Sequence, residues 1–237
     1  MRGMPTEHYF SERPAAEGGR HRFSAELRGF ELTFVTEAGV FSRERVDRGT
    51  RLLIKHLEVR PGDRVLDLGC GYGAVGIVAA KLAPQGRVTL IDINARAVGL
   101  ARENLQVNWI PNAEVQQGDG FAPVAGRAFD VIALNPPIRA GLGVVHRLIE
   151  HGSDHLAPGG RFYLVGRTKQ GVVRIGEKMG GVFGNVSEVG KGGGYRVYMS
   201  RAEGQRGQET RSCPTTPAGG DAETSPPYNC PTGFAIP

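Results

Sequence analysis

Cysteine is scarce, 3 in 237 residues, which excludes a disulfide-stapled secreted scaffold and favours a reducing compartment. No stretch approaches the ~20 apolar residues of a membrane span. The opening MRGMPTEHYF also has none of the apolar core of a signal peptide. These absences lead to the expectation of a soluble, cytoplasmic protein with no membrane partner. Metal ligands are equally thin. His146, His151 and His155 recur at helical spacing, but no cysteine or paired carboxylate completes a set, so no metal is expected. Cys70, Cys213 and Cys230 read as free thiols, and the single tryptophan, Trp109, reads as core or packing surface. What is abundant is glycine, 36 residues, about twice the usual ~7%.

Position separates these glycines. From Arg201 to Pro237 the chain holds 5 Gly, 6 Pro and 5 Thr and few large aliphatic residues. That composition buries too little apolar surface to offset its ordering entropy, so a disordered tail over 201–237 is expected. Near the other end, Phe23–Arg28 and Phe30–Thr36 alternate apolar and polar residues around Arg28-Gly29, the pattern of a hairpin. Val46–Val59 has helical periodicity and stops before Pro61-Gly62. Residues 1–60 are therefore expected to form a hairpin-and-helix extension packed on a core at 61–200.

Within that core, strand-like runs alternate with helix-like ones. Arg64–Gly69, Arg87–Ile93, Phe129–Leu134 and Arg161–Gly166 are the strand candidates, and EVQQG supplies a further one. The spacing predicts an α/β fold, a mostly parallel Rossmann-like sheet with helices on both faces. The alternation breaks at the end, where NVSEVG, a Lys191-Gly-Gly-Gly194 turn and YRVYMS predict an antiparallel C-terminal strand pair.

Two segments carry chemistry. Asp67-Leu-Gly69-Cys-Gly71-Tyr-Gly73 follows a strand and opens a helix, where glycines let the backbone approach a ligand and present N–H groups at a helix N-terminus. Gly71-x-Gly73-x-x-Gly76 matches the dinucleotide fingerprint, with Asp92 placed as a ribose-binding acid, so an NAD-dependent oxidoreductase is one reading. Asp67 favours another. A carboxylate beside a pyrophosphate is unfavourable, whereas beside the ammonium and sulfonium of S-adenosylmethionine it is favourable.

The second segment is Asn135-Pro136-Pro137-Ile138. Its prolines cannot continue the strand, and they hold Asn135 extended at the carboxyl edge of the sheet, where open α/β sheets bind ligands. The Asn135 side-chain oxygen and the Pro136 carbonyl can each accept one N–H bond from an NH2 group. Such a pair would orient a nitrogen whose lone pair is otherwise delocalised and aim it at a methyl donor.

These residues resemble the class I S-adenosylmethionine-dependent methyltransferases with seven-stranded sheets. More narrowly, His8-Tyr9-Phe10 with Pro14, Gly39-Val-Phe41-Ser42 followed by Asp47 and Gly49, and Asn135-Pro-Pro-Ile-Arg139-Ala-Gly141 resemble the "methyltransferase small domain" group, which includes small-subunit ribosomal RNA guanine-N2 methyltransferases. The resemblance implies S-adenosyl-L-methionine as cofactor, held by Asp67, Gly69, Gly71, Gly73, Asp92, Ile93 and Asp119. It implies an acceptor amino group at Asn135, Pro136, Pro137 and Ile138, with Phe41, Ser42 and Arg139 bordering the substrate. Many members have an aromatic residue where this chain has Ile138, and some relatives have Lys where it has Leu142. RNA, as ribosomal RNA or the small ribosomal subunit, is the implied partner. A protein-glutamine or adenine-N6 methyltransferase is the alternative acceptor class, and a catalytically idle RNA-binding module is a third reading.

Charge agrees with a nucleic-acid partner. Between Arg161 and Ser200 lie 7 Lys plus Arg and 2 Glu, a balance of +5 that equals the formal charge of the whole chain. Such a basic segment can track phosphates.

Overall fold

A computed structural model describes residues 19–40, 44–136 and 141–203. The hairpin is present, with β1 at His21–Leu27 paired antiparallel to β2 at Phe30–Thr36. Its two-residue turn, Arg28-Gly29, has both φ angles positive, 55° and 80°. That is the geometry which matches the twist of paired strands. The next helix, α1, spans Arg48–His56, shorter than the Val46–Val59 periodicity predicts. Asp47 caps its N-terminus by accepting from the Gly49 and Thr50 amides at 2.8 and 3.2 Å. An N-cap residue is itself extended, so Val46 falls outside the helix although it is buried.

The sheet strands are β3 (Arg64–Leu68), β4 (Arg87–Asp92), β5 (Ala113–Gln117), β6 (Phe129–Leu134), β7 (Leu156–Arg167), β8 (Ser187–Gly192) and β9 (Tyr195–Arg201). The helices between them are α2 (Ala74–Leu82), α3 (Ala95–Val107), α4 (Leu142–Asp154) and α5 (Val172–Phe183). These strands form one seven-stranded sheet in the order β5-β4-β3-β6-β7-β9-β8. The first five are parallel, and β9 runs antiparallel to both β7 and β8. The expected Rossmann-like sheet and its antiparallel end are thus both present. Strand β7 begins five residues earlier than its apolar run suggests, because Leu156 pairs with Phe129 before an irregularity restores the Val131–Arg161 register.

Side chains alternate across the sheet, as strand geometry requires. Val65, Val131, Ala133 and Val165 pack with α1, α2, α3 and the hairpin. Leu66, Leu68, Ile132, Leu134 and Leu164 pack with α4 and α5. Asn104 of α3 and Asn108, which caps its C-terminus one turn later, attach the hairpin. Asn104 Oδ1 accepts from Val35 N at 2.7 Å while its Nδ2 donates to Val35 O. Asn108 repeats the exchange with Thr33, at 3.0 and 2.8 Å. They bond alternate residues of β2 as a neighbouring strand would, satisfying an edge that otherwise invites association.

Trp109 is 87% exposed, with φ at 54°, so the core reading is wrong. The turn that ends α3 swings its side chain outward, and Ile110 takes the inward place by packing against the core. Arg201 closes β9, and residues 204–237 of the expected tail lie outside the described residues. No helix among the described residues is long and apolar enough to cross a membrane.

One buried ion pair ties the chain entry of β3 to β7. Arg161 Nη2 lies 2.5 Å from Asp63 Oδ2, with both side chains almost fully buried, and the same oxygen accepts from Arg60 N at 2.9 Å. Removing one partner leaves an uncompensated buried charge. Asp63→Ala is expected to cost about 3–5 kcal/mol in urea denaturation, and Asp63→Ala combined with Arg161→Met to recover much of that loss.

Candidate functional site

The strand order reverses between β3 and β6. Both end at the same edge, since Leu68 pairs with Leu134, and the residues that follow are Gly69 and Asn135. The glycine loop turns through φ values of 69° at Gly69, 57° at Gly71 and 93° at Gly73, conformations that cost a residue with a Cβ dearly. Gly76 serves packing instead, because a Cβ there would lie 2.5 Å from Leu90.

Two carboxylates at strand ends hold this loop. Asp67, 3% exposed, accepts from Gly76 N at 2.8 Å, an otherwise unpaired amide in the first turn of α2. Asp92 accepts from Gly71 N through Oδ2 at 2.8 Å and from Asn94 N through Oδ1 at 2.9 Å. Desolvation pushes the Asp67 carboxyl up to about 7, against the pull of the Gly76 amide. Burial raises Asp92 as well, opposed by its backbone N–H bonds. Burial likewise lifts the Cys70 thiol well above its usual range, which suits an inert residue.

A cavity of about 600 Å³ opens here, within the size range of small-molecule sites. Asp67, Gly69, Gly71, Asp92, Ile93 and Asp119 line one part of it, and Asn135 and Pro136 another. Gly73 is the loop residue that does not line it; it starts α2 and faces Leu90 and Ala101. The Asn135 amide is anchored, with Nδ2 donating to Thr50 Oγ1 at 3.0 Å. Phe41, Ser42, Pro137, Ile138 and Arg139 lie outside the described residues, as do His8-Tyr9-Phe10 and Pro14. No cluster of three or more metal-ligating side chains exists among the described residues. His155 instead stacks on Phe121 at 4.5 Å.

Lining residues that sequence reasoning passed over include Thr50, Arg147, Gln170 and Tyr195, and Arg167 of the basic segment also lines the cavity. Arg167 Nε donates to Tyr195 Oη at 2.6 Å, with its guanidinium over the Tyr195 ring. The basic segment is partly self-neutralised: Arg161 pairs with Asp63, Lys178 with Glu150, and Arg196 with Glu188. Arg167, Lys169, Arg174 and Lys191 are the exposed cations that remain.

Comparison with known proteins agrees with this architecture. The family model for the methyltransferase small domain matches residues 31–199. The uncharacterized protein YbxB of Bacillus subtilis (strain 168) is 40% identical over 200 residues, covering 83% of this chain and 98% of that protein. The ribosomal RNA small subunit methyltransferase C of Pseudomonas putida (strain W619) is 36% identical over 183 residues, 76% of this chain. This chain spans about half, 54%, of that relative's length. Among solved structures, a 16S rRNA N2-guanine methyltransferase of T. thermophilus, in complex with S-adenosylmethionine and guanosine, superposes with a TM-score of 0.71 at 28% identity. The match covers 78% of this chain and 51% of that one.

The raised Asp67 carboxyl has a consequence for stability. Between its unfolded value near 4 and about 7, the folded protein binds more protons than the unfolded chain, so stability falls as pH rises through that window. Urea midpoints of the ligand-free protein from pH 4.5 to 8 are expected to show a decline that is shallower in Asp67→Asn; identical slopes would remove Asp67 as its source.

Proposed function

The chain belongs to the methyltransferase small domain family, and from that premise we propose that it transfers the methyl group of S-adenosylmethionine to an exocyclic amino nitrogen, guanine N2 of ribosomal RNA. The observation that carries the proposal is the meeting of Asn135-Pro136 with the glycine loop and Asp67 in one cavity at the strand-order reversal. The donor set fits the cofactor: a buried carboxylate at Asp67 and a half-buried one at Asp92 suit a cation and ribose hydroxyls, and glycines at positive φ clear the wall between them.

In this reading Asp67 would face the cationic methionine portion, with Gly69 and Gly71 allowing close backbone approach and Gly73 setting the helix start. Asp92 would receive the ribose hydroxyls, Ile93 would flank the adenine and Asp119 would meet its amino group. When bound, S-adenosylmethionine supplies an electrophilic methyl on sulfonium. Asn135 Oδ1 and the Pro136 carbonyl each accept one N–H bond from the acceptor, which turns the nitrogen lone pair toward that methyl. Their fixed negative dipole ends also stabilise the positive charge that grows on the nitrogen, with no strong general base required.

By the family resemblance, Phe41, Ser42, Pro137, Ile138 and Arg139 would belong to the acceptor side. An amino group inside paired RNA is out of reach, so the target base is unpaired or flipped out. The exposed Arg167, Lys169, Arg174 and Lys191 would contact phosphates around it. An enzyme acting on ribosomal RNA or the small ribosomal subunit works in the cytoplasm.

The test is incubation with labelled S-adenosylmethionine and, separately, total RNA, ribosomal subunits and a protein extract, followed by nucleoside and amino-acid analysis. Label is expected on N2-methylguanosine. Label confined to glutamine or to adenine N6 would move the acceptor while leaving the Asn135 chemistry intact. Calorimetry should show saturable S-adenosylhomocysteine binding and none of NAD. Asn135→Ala is expected to abolish transfer with cofactor affinity near that of the wild type, and comparable activity in that variant would refute its role.

A further inference from the structure

Asp47 and Gly49 carry part of the sequence resemblance, yet no step of methyl transfer uses them or Thr50 beside them. Its geometry points at Asn135. Thr50 lies in the first turn of α1 and is 7% exposed. Its hydroxyl accepts from Asn135 Nδ2 across 85 residues of sequence. Asp47 fixes where that hydroxyl sits, since its Oδ1 accepts from the amides of both Gly49 and Thr50. Gly49 fixes how near the turn can come. A Cβ there would lie 2.6 Å from the Tyr195 ring, so only glycine lets α1 settle against β9 with Thr50 in reach of the end of β6.

Resting on the amino-nitrogen reading of the site, we propose that Thr50 is the positioning residue for Asn135. An asparagine amide has two ends of nearly the same shape and opposite hydrogen-bond polarity. An acceptor NH2 needs the oxygen turned toward it; the NH2 end of Asn135 would oppose donor to donor. With Nδ2 held by the Thr50 hydroxyl, Oδ1 is the end left for the acceptor. The hydroxyl selects this end of the amide when its own proton is committed elsewhere, and a buried threonine in a helix's first turn can give it to the carbonyl three or four residues back. Asn135 follows a strand and precedes two prolines, which hold its backbone but not its side-chain torsions. The hydroxyl from α1 supplies that last constraint, so the segment before the sheet completes a catalytic group at the end of β6.

The experiment compares wild type, Thr50→Val and Thr50→Ser in the full chain. Valine keeps the shape and loses the hydroxyl; serine keeps the hydroxyl. Side-chain amide NMR relaxation of Asn135, assigned by the signal lost in Asn135→Ala, reads the anchor without turnover. The amide is expected to be rigid in wild type and Thr50→Ser and mobile in Thr50→Val. With labelled S-adenosylmethionine and total RNA, kcat is expected to fall ~10- to ~100-fold in Thr50→Val. The KM for each substrate and the melting temperature should stay near wild type, and Thr50→Ser should restore kcat to within about threefold. An Asn135 amide equally rigid in Thr50→Val, unchanged kcat in that variant, or equal losses in valine and serine would each overturn the assignment. A wild-type protein that methylates nothing while Thr50→Val frees the Asn135 amide would sink the methyl-transfer reading and leave the anchor standing.

Discussion

The parallel pairing of β3 with β6 is the constraint on which the candidate site depends. Strands β4 and β5 extend the sheet on one side of β3, while β6 and β7 extend it on the other. The connections after β3 and β6 therefore leave in opposite directions and open a crevice at their carboxyl ends. With Leu68 opposite Leu134, a glycine loop and an Asn-Pro turn face one another across it. A one-residue slip in that register would turn every β6 side chain to the other face of the sheet. The Leu66, Ile132 and Leu134 layer against α4 and α5 resists such a slip, since it would bury the wrong side of β6.

Electrostatics adds a second constraint. Asp67 is removed from water and Asp92 is half-buried beside it, close enough that the Asp92 charge disfavours ionisation of Asp67. Their remaining support comes from backbone amides of the glycine loop and of α2. The same bonds that shape the loop thus hold negative charge in a low-dielectric wall, an arrangement that favours a cation in the cavity. The basic residues work at another scale. Three of those between Arg161 and Ser200 are consumed by Asp63, Glu150 and Glu188, which concentrates the remaining positive charge on fewer positions near the β7 and β8 ends.

The hairpin and α1 are bound to the core by polar contacts of long sequence separation. Asn104 and Asn108 imitate a strand toward β2, and Phe23 and Phe34 both meet Tyr72 of the glycine loop edge-on. The N-terminal elements therefore brace the loop from one side while Thr50 reaches Asn135 from the other.

Much of this was legible in the sequence. Period-two and helical patterns mark the strands and helices because each element must bury one face, and Asp67, the loop glycines, Asp92 and Asn135 stand at element ends where turn chemistry announces them. Helix α1 came out shorter than its apolar period because the Asp47 cap, a local hydrogen-bond feature, starts it inside that period and Leu57 leaves it in an extended conformation. Trp109 was misread because hydrophobicity does not reveal a positive φ that turns a side chain outward. Other features lay beyond any local reading. Which lysines and arginines are spent in ion pairs, which asparagines replace a strand neighbour, and that Thr50 meets Asn135 are all decided by where distant segments land. The sequence by itself determined the alternation of elements and the residue types at their ends, because those follow from burial and backbone geometry within a few residues. Tertiary structure alone decided which of those ends share a cavity and which hydroxyl holds the Asn135 amide, because strand order and helix placement are set by the packing of the whole sheet.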